Sequence, residues 1–149
     1  MRKTILWALT CLFTGCLPSR QVPDSPVASM EYRVDYSSRY PDVHFILRRD
    51  ADGRYRLTNA SHCAPEEGQT VEVPESFAEQ VKQIVREEHM LAYKESYHSR
   101  RNIICGGMAW RFSIAFEHSD AGVSSSGYMK HPKGEGLARI EQLCQSVWE

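Results

Sequence analysis

Large apolar side chains alternate with polar ones in several stretches of the chain, recur at helical spacing in two others, and run nearly unbroken only near the start. From Met30 onward, Tyr32, Val34 and Tyr36 fall on one side and Glu31, Arg33 and Asp35 on the other, the period of a half-buried strand. Val43, Phe45 and Leu47 alternate with His44, Ile46 and Arg48 in a second strand that meets Asp50-Ala51-Asp52-Gly53. An Asp-Gly step between alternating segments predicts a hairpin, with Arg54 to Thr58 returning antiparallel and Tyr55 and Leu57 turned inward. Val71 to Val73 predicts a short further strand. Trp110, Phe112, Ile114 and Phe116 alternate with Arg111, Ser113, Ala115 and Glu117, and these four large side chains are expected at the centre of the core. Asp120-Ala121-Gly122 then turns the chain into a polar strand, Val123 to Tyr128.

Helical spacing first appears at Phe77, Val81, Ile84 and Val85. Ser76 and Glu79 ahead of it read as a capping box, predicting a helix over 76 to 92. Tyr93 and Tyr97 precede a basic turn, His98 to Arg101. Leu137, Ile140, Leu143, Cys144 and Val147 predict a closing helix, with Cys144 on its buried stripe. Strands and helices grouped in this way predict an α+β fold, an antiparallel sheet of about five strands with two helices packed on one face. The domain is expected to span 30 to 149, long enough to bury one core without a metal.

The apolar run Ile5 to Phe13 follows Arg2 and Lys3 and precedes Thr14-Gly15-Cys16. Charge, a short apolar run and small residues in that order form a secretory signal, and the run is shorter than the roughly 20 apolar residues a membrane span needs. The segment Leu12-Phe13-Thr14-Gly15-Cys16 resembles the lipobox of bacterial lipoprotein precursors, although Phe13 stands where leucine is usual and Leu12 lies one position early. The resemblance implies that residues 1 to 15 are a signal peptide, that Cys16 is lipidated, and that the protein is anchored in the bacterial cell envelope. A plain signal peptide and a secreted protein form the alternative. Leu17 to Ser29, with three prolines and three serines, reads as an extended tether, so that 16 to 29 hold the domain off the membrane.

The chain has 149 residues, with 18 basic and 19 acidic side chains. Loss of Arg2 and Lys3 with the signal takes two bases and no acids, a net charge of −3 after processing. No basic excess exists to hold nucleic acid. Of the five cysteines, Cys11 leaves with the signal and Cys16 is committed to lipid, so Cys63, Cys105 and Cys144 remain. Three thiols in an oxidising compartment predict one disulfide, from Cys63 to either Cys105 or Cys144, and one buried thiol.

The stretch Ile103 to Trp148 resembles a domain met in bacterial lipoproteins and secreted proteins to which no activity is assigned. Gly107, Trp110, Phe112, Ser126, Gly127, Tyr128, Pro132 and the helix from Leu137 carry the likeness. Cys105 departs from it, standing where acidic residues are more usual. The resemblance implies fold and location without chemistry.

Candidate chemistry is sparse. His62-Cys63 is the one adjacent pair of an imidazole and a thiol, but neighbouring side chains diverge, and a base needs a third group to orient it. The six histidines show no spacing typical of metal ligands, and His118, Asp120 and His131 are the nearest to a cluster. Cys105-Gly106-Gly107 and Gly134-Glu135-Gly136 lack the lysine and context of a phosphate loop. No cofactor and no metal are expected. Arg33, Arg48, Arg54, Arg56 and Arg111 mostly share the parity opposite the apolar face. On an open sheet they would form a basic platform for an anionic glycan or acidic protein partner. If the face is closed by charge, they pair instead with Glu31, Asp35, Asp50 and Glu117. The expectation is a non-enzymatic binding or structural module of the envelope; the alternative is a small extracytoplasmic hydrolase or thiol enzyme with a loop-assembled site.

Overall fold

A computed structural model describes residues 21–36, 42–98 and 107–149. The chain forms β1 (Val27–Tyr36), β2 (Val43–Arg49), β3 (Tyr55–Asn59), β4 (Gln69–Val73), α1 (Glu75–Glu87), a single 3-10 turn (Met90–Ala92), β5 (Ser96–His98), β6 (Met108–Phe116), β7 (Gly122–Tyr128) and α2 (Gly136–Gln145). The strands make one sheet in the order β4-β3-β2-β1-β6-β7-β5. Every neighbour is antiparallel except β5, which runs parallel to β7.

The α+β class holds, but the sheet is larger than five strands and is mixed. The strand missed by periodicity, β5, has three residues, too few for alternation to show. Its place depends on pairing with a strand that lies some 30 residues further along the chain.

The alternating positions fill one face. Phe112, Leu47 and Leu57 are fully buried, Met30, Tyr32, Phe45, Trp110, Ile114 and Phe116 nearly so, and both helices pack over them. The Tyr32 hydroxyl donates to Glu141 Oε2 on α2 at 2.8 Å, and Phe45 stacks on Trp148 with centroids 5.8 Å apart. Arg139 joins the two helices, with Nη2 2.7 Å from Glu87 Oε2 and Nη1 2.9 Å from Glu88 Oε1.

The hairpin after β2 forms as expected, with Gly53 at φ +81 and the Asp50 carboxylate accepting from the backbone of Asp52 and Arg54. The predicted capping box does not form. Pro74, in extended geometry, is the N-cap and offers no side-chain cap, so α1 begins at Glu75, ahead of Ser76. The helix stops at Glu87 and not at 92, because His89 takes left-handed backbone (φ 51) and breaks the hydrogen-bond ladder.

Ordered structure also begins before Met30. β1 starts at Val27, which is fully buried; an irregularity between Val27 and Ser29 resets the parity so that Val27 sits opposite Phe116. Upstream, the buried Lys82 ammonium donates to the Asp24 carbonyl at 3.1 Å, and Val22 packs on the core. The expected tether is thus shortened by a lysine that needs a buried acceptor and finds it in the proline-rich segment.

Candidate functional site

The second face of the sheet carries no described helix. Register places its side chains in rows. One row runs His44, Arg33, Arg111, Ser126 and Ser96; the next toward the end of β1 holds Asp35, Ala109, Tyr128 and His98. Nearer the start of β1, Glu72, Arg56, Arg48 and Ser29 form another.

Four of the five arginines noted in the sequence, Arg33, Arg48, Arg56 and Arg111, are exposed on this face. They come as two directly opposed pairs, Arg33 with Arg111 across β1 and β6, and Arg48 with Arg56 across β2 and β3. Like charges directly opposite each other on adjacent strands destabilise a sheet. Two of the four are offset by acids: Arg33 binds Asp35 at 2.6 Å, and Arg56 lies 3.3 Å from Asp50. Neither Arg48 nor Arg111 has an acidic partner among the described residues. Arg54 stands apart at the hairpin, 3.2 Å from Asp52 and 3.4 Å from Glu72. Of the pairings expected for a closed face, Glu117 goes elsewhere, accepting two bonds from Arg49 at 2.9 and 2.8 Å, and Glu31 meets His44 at 2.9 Å.

Around Arg33 and Arg111 the face is hollow. Arg33, Asp35, Ala109, Arg111, Ser126 and Tyr128 line a cleft of about 420 Å³, with His98 beside Tyr128. The hollow follows from side-chain size, since Ala109 stands between the larger Asp35 and Tyr128 in one row and Ser126 beside Arg111 in the other. Asp35 was expected only as a counterion, and Ser126, Tyr128 and His98 were not among the candidate site residues. The signal that could have found them is the parity of β7: once paired with β6, Ser126 falls beside Arg111.

Gly127 supports the cleft from below. A Cβ there would lie 2.6 Å from both Trp110 Cε2 and the Lys130 carbonyl oxygen. Its absence lets the Trp110 indole cross the strand, donate to that carbonyl at 2.8 Å, stack on His131 at 5.9 Å and meet Tyr97 at 5.7 Å. A Cβ on Gly107 would strike the Tyr128 ring. The Gly, Trp and Gly-Tyr positions of the C-terminal pattern therefore have a packing explanation.

The thiols are not brought together. Cys63 is exposed in the loop after β3 and Cys144 is fully buried on α2; both are free. The Cys63 to Cys144 disulfide does not form, since the core encloses one sulfur and the other faces solvent. Burial, with Glu141 adding to it, pushes the Cys144 thiol up to about 12. Cys105 and Cys16, and with them the other pairing and the lipidation, lie outside the described residues. His62 Nδ1 sits 3.4 Å from Glu67 Oε1, and the other oxygen of that carboxylate accepts from the Cys63 backbone N–H at 3.1 Å. His118 and Asp120 stand before β7 and His131 after it, at opposite ends of that strand, so these three do not come together. Among the described residues no group of three or more His, Cys, Asp or Glu side chains could hold a metal ion. No described helix is long and apolar enough to cross a membrane.

Comparison with models of known protein families gives no match. Comparison with curated proteins gives none either.

Proposed function

We propose that this protein is a lipid-anchored binding module of the bacterial envelope that presents its open sheet face to an anionic partner. One observation carries the reading: two arginine pairs stand directly opposed on a face with no helical cover, and Arg48 and Arg111 lack acidic partners among the described residues. A sheet that keeps like charges side by side forgoes cross-strand stabilisation, and an anion bridging them would restore it.

The anchor fits this orientation. Gln21 and Val22 line a hollow with Val85, Arg86, His89 and Leu91, on the helical side of the sheet. From Cys16 to Gln21 is five residue steps, about 18 Å at full stretch. A lipid on Cys16 would therefore attach the domain from its helical side, opposite the arginine face.

Heparin, a soluble polyanion, tests the binding reading on the processed protein. It should be retained at low salt and released as salt rises, because exposed charges are screened within about 10 Å at 0.1 M. The R33Q/R48Q/R56Q/R111Q variant, folded by circular dichroism, should lose retention; retention equal to wild type refutes the face. Mass spectrometry of the mature N-terminus tests the anchor, and an unmodified terminus beyond Cys16 refutes it.

A further inference from the structure

We propose that the cleft between Arg33, Asp35, Arg111 and Tyr128 holds one sugar residue bearing a single negative charge, such as a uronate. This rests on the open-face reading and narrows it to a site and a ligand class. The lining is amphoteric: two guanidiniums, one carboxylate, the His98 imidazole, the Ser126 hydroxyl and a phenol. Arg33 and Arg111 against Asp35 leave one fixed net positive charge, His98 set aside, which matches one anionic group better than a bare dianion.

The geometry divides the work. Nε and Nη2 of Arg33 both approach Asp35 Oδ1, at 2.7 and 2.6 Å, which leaves Nη1 without a hydrogen bond among the described residues and able to donate to a ligand. The planar fork suits a carboxylate taken by two parallel bonds. Asp35 repels a simple anion, yet its Oδ2 can accept from a ring hydroxyl, and Ser126 can donate or accept. Tyr128, 39% exposed, offers an aromatic face to the apolar side of a sugar ring. At about 420 Å³ the cleft is within the range of small-ligand sites.

Calorimetric titration of the processed protein with methyl glucuronide, methyl glucoside and inorganic phosphate tests the site. Methyl glucuronide should bind at least tenfold more tightly than either of the others. R33Q/R111Q should weaken it at least tenfold, R48Q/R56Q should leave it within twofold, and Tyr128→Ala should weaken the glucuronide without changing any residual phosphate binding. Phosphate binding as tightly as glucuronide overturns the proposal, as does equal loss in the two arginine double variants. Heparin retention separates the two readings. If heparin binds and glucuronide does not, the cleft is refuted while the face stands; if neither binds, both fall.

Discussion

Replacing Gly127 with alanine tests whether the Trp110 platform beneath the cleft depends on one missing methyl. The added carbon would sit 2.6 Å from Trp110 Cε2 and from the Lys130 carbonyl oxygen, closer than real Cβ atoms approach. The carbonyl is backbone and the indole is nearly buried, at 2% exposure, so neither gives way cheaply. Overpacking of this kind costs about 1–3 kcal/mol. Displacing the ring also breaks the 2.8 Å bond from the indole to Lys130, a further loss of about 1 kcal/mol. Together these put the destabilisation at about 2–4 kcal/mol, a fall in Tm of roughly 8–16 °C for a domain of this size. Urea unfolding followed by circular dichroism measures it. If the indole is the obstacle, Trp110→Phe should relieve part of the strain, and the double variant should cost at least about 1 kcal/mol less than the sum of the single ones. A Gly127→Ala variant within about 0.5 kcal/mol of wild type would refute the reasoning, since substitutions of that size are typical of sites with no packing constraint.

Other outcomes follow from the same structure. Iodoacetamide at pH 8 should modify Cys63 on the folded protein and reach Cys144, whose thiol is pushed up to about 12, only after denaturant; equal rates by peptide mapping would contradict the burial of α2. Tyr32→Phe removes the hydroxyl bound to Glu141 and should cost about 1–2 kcal/mol in chemical denaturation; no measurable change would show that this bond does not fasten α2 to the sheet. Arg139 and the Glu135 backbone hold the Glu88 carboxyl below its usual range, and the Gln83 amide and then Arg139 do the same for Glu87. Both pKa values are depressed in the folded state, so their contribution is complete above the ordinary carboxylate range and fades as pH falls through the depressed values. The E87Q/E88Q variant should therefore be less stable at pH 7 and show a shallower fall in Tm between about pH 5 and pH 2; an unchanged slope would mean the clamp contributes nothing. Phe112→Ala, at a fully buried position opposite Tyr32, should cost about 3–5 kcal/mol by thermal or urea unfolding, and a loss below 1 kcal/mol would displace it from the centre of the core.

Particular residues show how far the chain could be read unaided. Trp110, Phe112, Ile114 and Phe116 announced β6 because a two-residue period is a local property, visible wherever a strand has one buried face. The Asp50 to Gly53 hairpin was legible for a similar reason, since glycine at φ +81 serves a turn whatever surrounds it. The capping box was not, because Pro74 takes the cap position two residues before Ser76, and only the backbone geometry shows which residue opens the helix. The tether was misjudged at its end because composition cannot foresee that buried Lys82 will take the Asp24 carbonyl.

The sequence by itself determined the α+β class, the inward residues of the longer strands, both helical stripes and the shared parity of Arg33, Arg48, Arg56 and Arg111. All of these are encoded within ten or so consecutive residues by the periods 2 and 3.6. Only the tertiary structure decided that β5 joins the sheet parallel to β7, that the arginines meet as directly opposed pairs, and that Asp35, Ser126 and Tyr128 complete a cleft with two of them. The separation of the Cys63 and Cys144 thiols was likewise decided there. Register and strand order join residues as many as 93 positions apart, as with Arg33 and Ser126. They are set by how whole faces pack, which no local pattern records.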